Sequence, residues 1–286
     1  MPSHQQRFTG PGPLFTPDTI PEFQDLILSR YRSTGRKFPW RETTDPYHIL
    51  VSEIMLQQTQ VSRVAEKFPQ FIAAFPDFPA LAAAPLPDVL AQWQGMGYNR
   101  RAIALQKCAR RVVEEYGGTL PDDPEILATF PGIGKATASS ICAFAFNHPV
   151  IFIETNIRRV FIHCFFPDGE TVDDDAILPL VEEALYRDNP REWYNALMDY
   201  GTELKKAVPN PNRRSARYTK QSAFEGSDRK IRGEILRLLL SGKRMTEKAI
   251  LRTIREDPER VRRIIAALET EGFITRNGSS FSIAPQ

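Results

Sequence analysis

The sequence predicts a mainly α protein with a small mixed module at its C-terminal end. From Pro46 to about Gly201, apolar residues recur with helical period in segments mostly ten to sixteen residues long, each broken by Pro or Gly. Alternating strand patterns are nearly absent over the same range. After Ser227 the pattern changes to three short amphipathic helices followed by ITRNGSSFSI, two strands around an Asn-Gly turn. A hydrophobic content of 42% with 25% charge is that of a globular chain, neither disordered nor membrane-like.

Taken in order, residues 1–20 read as a flexible arm without the apolar core of a secretory signal. Pro21 to Arg32 reads as a helix, and FPWR (Phe38 to Arg41) as a turn. The next helix contains SEIMLQQTQV (Ser52 to Val61). It sets Glu53, Gln57, Gln58 and Gln60 into an otherwise apolar stripe of Ile54, Met55 and Val61. Further helices follow in SRVAEKFPQFIAAF, LPDVLAQWQGM, RRAIALQKCARRVVEEYGG and PEILATF. In LATFPGIGKATASSI a helix ends near Phe130, Gly132 and Gly134 bracket Ile133 in a tight turn, and a new helix starts at about Lys135. Glycines there allow positive φ and leave N–H donors suited to a phosphate oxygen. Residues 207–227, rich in Pro, Asn, Ser and Arg, read as a linker. Residues 228–286, in KIRGEILRLLLSG, TEKAILRTIRE, PERVRRIIAALETEGF and the hairpin, resemble a winged helix-turn-helix. Arg260, Arg262 and Arg263 on the third helix stand where a DNA-reading helix carries its contacts. Such modules also serve in protein–protein contacts.

The net charge of +2 hides an asymmetry: Lys205 to Gln286 holds 19 Lys and Arg against 9 Asp and Glu, the rest 18 against 26. A basic third on a mildly acidic body points to a polyanion such as nucleic acid, or to a solvated basic surface. Three cysteines without a CxxC pair argue against a disulfide framework and fit a reducing cytoplasm. No apolar run reaches the roughly 20 residues of a membrane span, so no membrane partner is expected. His4, His48, His148 and His163 show no metal-ligand spacing, and no metal site is expected. Trp40, Trp93 and Trp193 read as core.

The run Phe-Pro-Gly-Ile-Gly-Lys-x-Thr-Ala resembles the hairpin of the helix-hairpin-helix DNA glycosylases. DPYHILVSEIMLQQTQV, down to Leu56-Gln57-Gln58-Thr59-Gln60-Val61, is similar to the corresponding helix of MutY-type adenine glycosylases. FPWR, GMGYNRRA (Gly95 to Ala102) and NALMDYG (Asn195 to Gly201) look like that family in its order. The resemblance covers residues 21–206. It implies a two-lobed helical glycosylase body, with double-stranded DNA carrying a mismatched or damaged base as partner, and a monomer.

By this resemblance Glu53 is the acid that protonates the extruded purine, at N7. An apolar surround raises such a pKa toward neutrality. Gln57 and Gln58 insert into the duplex and probe the partner of the flipped base, or else form an ordinary polar helix face. Tyr98, Asn99, Gly132, Ile133, Gly134, Lys135, Ala136 and Thr137 meet DNA, and the hairpin is compatible with a monovalent cation. In VIFIETNIRRV the family has Asp where this chain has Glu154, and Asn two residues on, which Asn156 matches. The extra methylene displaces the carboxylate by about 1.5 Å. Glu154 is therefore read either as a stabiliser of the sugar cation or as a helix N-cap.

Several departures follow. Strand-nicking members carry a lysine directly before the Thr-Ala of the hairpin, where this chain has Ala136, so a monofunctional reaction with water is expected. TELKKAVPNPNRRSARYTK lacks the family's four cysteines, so no iron–sulfur cluster is expected. Lys205, Lys206, Arg213 and Arg214 are candidates for its DNA-docking role. Asn99 stands where many MutY proteins have a second tyrosine, and the 8-oxoguanine-recognition domain is replaced. Adenine opposite 8-oxoguanine is the first expectation. Uracil, thymine or hypoxanthine, or a non-catalytic DNA binder, are the alternatives.

Overall fold

A computed structural model describes residues 14–166, 168–219, 224–242 and 244–285. The helices are α1 (Ile20–Thr34), α2 (Pro46–Leu56), α3 (Val61–Ala74), α4 (Phe78–Ala83), α5 (Leu86–Gln92), α6 (Arg100–Tyr116) and α7 (Pro124–Leu127). They continue with α8 (Lys135–Phe146), α9 (Thr155–Phe165), α10 (Asp174–Glu183) and α11 (Pro190–Ala207). Then come α12 (Asp228–Leu240), β1 (Met245–Thr246), α13 (Glu247–Thr253), α14 (Pro258–Thr270), β2 (Ile274–Asn277) and β3 (Ser280–Ile283). No helix among the described residues is long and apolar enough to cross a membrane.

The chain forms two compact units. One comprises the residues up to Ile49, Asp122–Thr129 and Ile133–Lys220. Its core stacks Phe23 edge-on against Phe161, Phe165 and Trp193. Part of the expected arm belongs to this core. The Phe15 ring is buried against Phe23 and Phe165, and its N–H donates to the Cys164 carbonyl at 2.9 Å. An aromatic side chain gains too much from burial to remain in a loose tail. Residues 1–13 of the arm lie outside the described residues.

The first half of the expected linker is also built in. Pro211, Asn212 and Ser215 are buried, and Val172 donates its N–H to the Arg214 carbonyl and accepts from the Ala216 N–H. Asn212 donates to the Thr155 carbonyl at 2.9 Å, and Arg214 to the carbonyls of Glu170 and Phe166. Side-chain amides and guanidiniums satisfy backbone around one short 3-10 turn, Pro211–Arg214, which is too brief to show as a pattern. Arg214 is thereby turned inward, whereas Lys205, Lys206 and Arg213 are exposed.

The other unit comprises Leu50–Pro121, Phe130–Gly132 and residues from 221 onward. Trp93 and Phe71 form its aromatic centre, and α4 packs on α6, where Gln106 donates to the carbonyls of Leu81 and Ala84. The C-terminal segment runs helix, short strand, two helices and hairpin, with the sheet in the antiparallel order β1-β3-β2. It does not stand apart beyond a linker but clusters with α2–α6. Glu271 receives Arg100 through two bonds of 2.8 and 2.6 Å and also Arg232. These contacts, Arg100 first, hold the Glu271 carboxyl down to about 2.

Candidate active site

The helix that carries Glu53 is buried almost all round. From Ile49 to Met55 every residue except Glu53 is buried, so Glu53 is the one half-open position in the run. The helix stops at Leu56, earlier than its sequence suggests. Gln57 and Gln58 form a turn, with Gln58 at φ 54°. A left-handed glutamine costs on the order of 1 kcal/mol and persists only where its surroundings enforce it.

Arg101 enforces it. The buried guanidinium donates from Nη1 to the carbonyls of Ile54 (3.0 Å), Met55 (2.8 Å) and Gln57, the last turn of the Glu53 helix. From Nη2 it donates to Thr59 Oγ1 (2.9 Å) and to the carbonyls of Met96 (3.2 Å) and Gly97 (3.0 Å). A cation on otherwise unpaired C-terminal carbonyls satisfies both hydrogen bonding and the helix dipole. Burial still lowers the Arg101 pKa to about 10. The sequence signal lies in its register, since Arg101 stands in line with Leu105, Cys108 and Val112 on the buried face of α6.

Tyr98, also left-handed at φ 47°, has its ring between the guanidiniums of Arg101 and Arg229 and its hydroxyl bonded by Arg229. Asn99 is half-buried at the N-cap of α6 and makes no side-chain cap bond. Gly132 has φ 76°, and a Cβ there would lie 2.9 Å from that of Ala104. Its carbonyl accepts from Gln57 Nε2 at 3.2 Å, tying the glutamine turn to the start of the hairpin. The Ile133 side chain is buried, so that residue anchors the hairpin and can offer DNA only its backbone. Gly134 caps α8, with Lys135 and Ala136 exposed and Thr137 half-buried in its first turn, an arrangement suited to an anion.

In the first unit, Glu154 is the N-cap of α9. Its Oε1 accepts from the N–H groups of Asn156 (2.6 Å) and Ile157 (3.1 Å). Burial raises its pKa, opposed by those two N–H groups and by Arg159. Asn156 accepts from Arg159 Nη1 at 2.7 Å, and the same nitrogen donates to the Gly201 carbonyl at 2.7 Å.

Gly201 explains the end of NALMDYG. A Cβ there would lie 2.6 Å from the Asn156 carbonyl oxygen and 2.7 Å from its Cβ. Gly201→Ala is expected to destabilise the protein by about 1–3 kcal/mol, read as a lower melting temperature; an unchanged melt would contradict the close approach. Asp199 in the same motif binds the two arginines around FPWR: the Arg36 N–H (2.8 Å) and Nε (2.8 Å), and Arg41 Nη2 (2.9 Å). Burial disfavours its charge, but Arg41 and Arg36 outweigh this and hold the carboxyl below its usual range. Both motifs are therefore frame, and sequence reading had assigned neither Asp199 nor Gly201 a role.

Of the arginines predicted to read DNA from α14, Arg260 and Arg262 are paired within the segment. Arg260 bonds Asp228 at 2.6 Å and the Gly226 carbonyl, and Arg262 pairs with Glu247 and Glu259. Arg263 lies 3.9 Å from Asp228. Acids on α12, α13 and α14 stand beside Arg260 and Arg262, which the arginine spacing alone does not reveal, and Arg263 stays exposed.

The residues present do not fit a four-cysteine cluster. The chain has three cysteines, all buried, and the Cys108 and Cys142 thiols, each pushed up to about 12 by burial, bond the Pro131 and Asp122 carbonyls. No group of His, Cys, Asp or Glu suited to a metal occurs among the described residues.

The sequence pattern of the HhH-GPD superfamily base excision DNA repair proteins matches residues 51–178. An adenine DNA glycosylase of Mycobacterium tuberculosis is 33% identical over 245 residues, covering 74% of this chain and 77% of that protein. One of Mycolicibacterium smegmatis is 31% identical over 277 residues, covering 90% and 94%. Among solved structures, a thermostable thymine-DNA glycosylase superposes with a TM-score of 0.58 at 27% identity, over 64% of this chain and 86% of that one.

Proposed function

Because the chain belongs to the HhH-GPD superfamily of base excision DNA repair proteins, we propose that it is a monofunctional DNA glycosylase that hydrolyses the N-glycosidic bond of mismatched adenine, such as adenine opposite 8-oxoguanine. The observation that carries this reading is the single half-open acid, Glu53, in an otherwise buried helix whose end is clamped by Arg101.

A base departs poorly as an anion. Glu53 gives a proton to N7 of the flipped adenine, and the C1′–N9 bond breaks with its electron pair going to the base. The sugar is left cationic. By the resemblance in VIFIETNIRRV, Glu154 is the anion that lowers the energy of that cation. Water then adds to C1′ and its proton passes to the Glu53 carboxylate, which restores the acid. Asn156 and Arg159 hold the cap in place. With Ala136 before Thr137, the hairpin offers no amine at the position where nicking relatives form a Schiff base, so the strand stays intact. The protein works as a monomer in the cytoplasm without an iron–sulfur cluster.

A second reading, removal of thymine opposite guanine, draws on the similarity to the thymine-DNA glycosylase. A panel of duplexes carrying adenine·8-oxoguanine, G·T, G·U and hypoxanthine separates them. Free adenine should be released from the first, with strand scission only after alkali. Thymine release without adenine release would favour the second reading, and scission without alkali would refute the monofunctional one.

A further inference from the structure

In the unit that holds Glu53, a cleft of about 1280 Å³ opens between two turns of the body and the first helix of the C-terminal segment. Gln57 and Gln58 line one side together with Tyr98 and Asn99, and α12 forms the other. The volume exceeds the roughly 300–1,000 Å³ of small-molecule pockets, so the cleft suits an extended ligand.

Charge decides the class of ligand. Two acids line the cleft, Asp228, which is paired with Arg260, and Glu234, against Arg63 and Arg101, which donate to carbonyls and one hydroxyl and not to carboxylates. Arg237 on α12 is exposed to the same space and has no ion pair among the described residues. Phe224, 56% exposed, lines the cleft beside them. Cations with an unpacked aromatic make a surface for a nucleic-acid strand, whose phosphates take the charge and whose bases stack. On α14, by contrast, Arg260 and Arg262 already face acids of the same segment. The two left-handed residues, Gln58 and Tyr98, both stand on this cleft. Strain of this kind concentrates where a site is pre-shaped for a ligand.

We infer that this cleft takes the DNA strand opposite the excised base, with Arg63 and Arg237 on its phosphates and Phe224 against a base. The DNA-facing helix of the C-terminal segment is then α12, not α14. The inference rests on the glycosylase reading, which supplies the duplex and places Gln57 and Gln58 at the partner base.

The test is equilibrium binding of full-length protein to an adenine·8-oxoguanine duplex across a salt series. Arg63→Glu and Arg237→Glu are each expected to weaken binding about tenfold near 100 mM salt and to reduce the salt slope by about one. Arg262→Glu should bind as wild type does. Both cleft arginines are exposed, and melting curves check folding; the milder Arg237→Gln serves where the reversal unfolds the chain. If the cleft variants bind like wild type while Arg262→Glu weakens, the strand lies on α14 and the inference falls, with excision untouched. If wild type releases no base from any duplex, the glycosylase reading falls, and the same binding comparison still decides which helix meets DNA.

Discussion

Glu53→Gln is expected to lower the single-turnover rate of adenine release by about 10²–10⁴-fold, the usual contribution of a positioned general acid. The amide is nearly isosteric, so the helix and its contacts with Arg101 stay as they are. What is lost is the proton. Affinity for the mismatched duplex should stay within a few-fold of wild type, because binding falls to the hairpin and the cationic cleft. Rapid-quench measurement with enzyme in excess separates the two effects, since it reports chemistry without product release. Release at the wild-type rate would remove Glu53 from the mechanism. Loss of binding in parallel with rate would make it a structural residue.

The second large effect concerns Arg101→Met. Methionine retains the apolar stem but deletes donors to the Ile54, Met55, Gln57, Met96 and Gly97 carbonyls and to Thr59. Buried acceptors left unpaired cost about 1–3 kcal/mol each where water cannot reach them. A net loss of about 3 kcal/mol is expected, or a fall in melting temperature of roughly 6–12 °C. Arg101 is a positioning residue, so the surviving folded enzyme should also be slow. A shift of about 1 Å in the Glu53 helix end is enough for a loss on the order of 10²-fold in rate. Arg101→Lys, with one ammonium for the same acceptors, should recover part of both. A melt and a rate equal to wild type would show that the turn holds without the clamp.

How far the sequence went is clearest at these two residues. The half-open position of Glu53 in a buried run was legible because a lone carboxylate in an apolar helix is conspicuous. The helical body, the hairpin at Gly132–Gly134 and the helix–hairpin order of the C-terminal segment were legible for a similar reason, as each has a period or a turn residue that local chemistry dictates. Arg101 was not, although its register on α6 marks it, because arginine in a basic stretch reads first as surface. Asp199 and Gly201 escaped because their partners, Arg36, Arg41 and Asn156, are far away in sequence. The packed stretch from Asn210 to Ser215 read as linker since amide side chains, not periodicity, hold it. On α14 the spacing shows a cationic stripe, and only folding brings Asp228 and Glu247 beside it.

The compact unit that holds Glu53 gathers residues 50–121, 130–132 and those from 221 onward. On the ribosome, α2 is made early but its unit stays unfinished until α12 and the hairpin have emerged. Such late closure of distant stretches slows folding. It also means that a nascent chain exposes the acid while Tyr98 still lacks its Arg229 partner, which lies 131 residues further on.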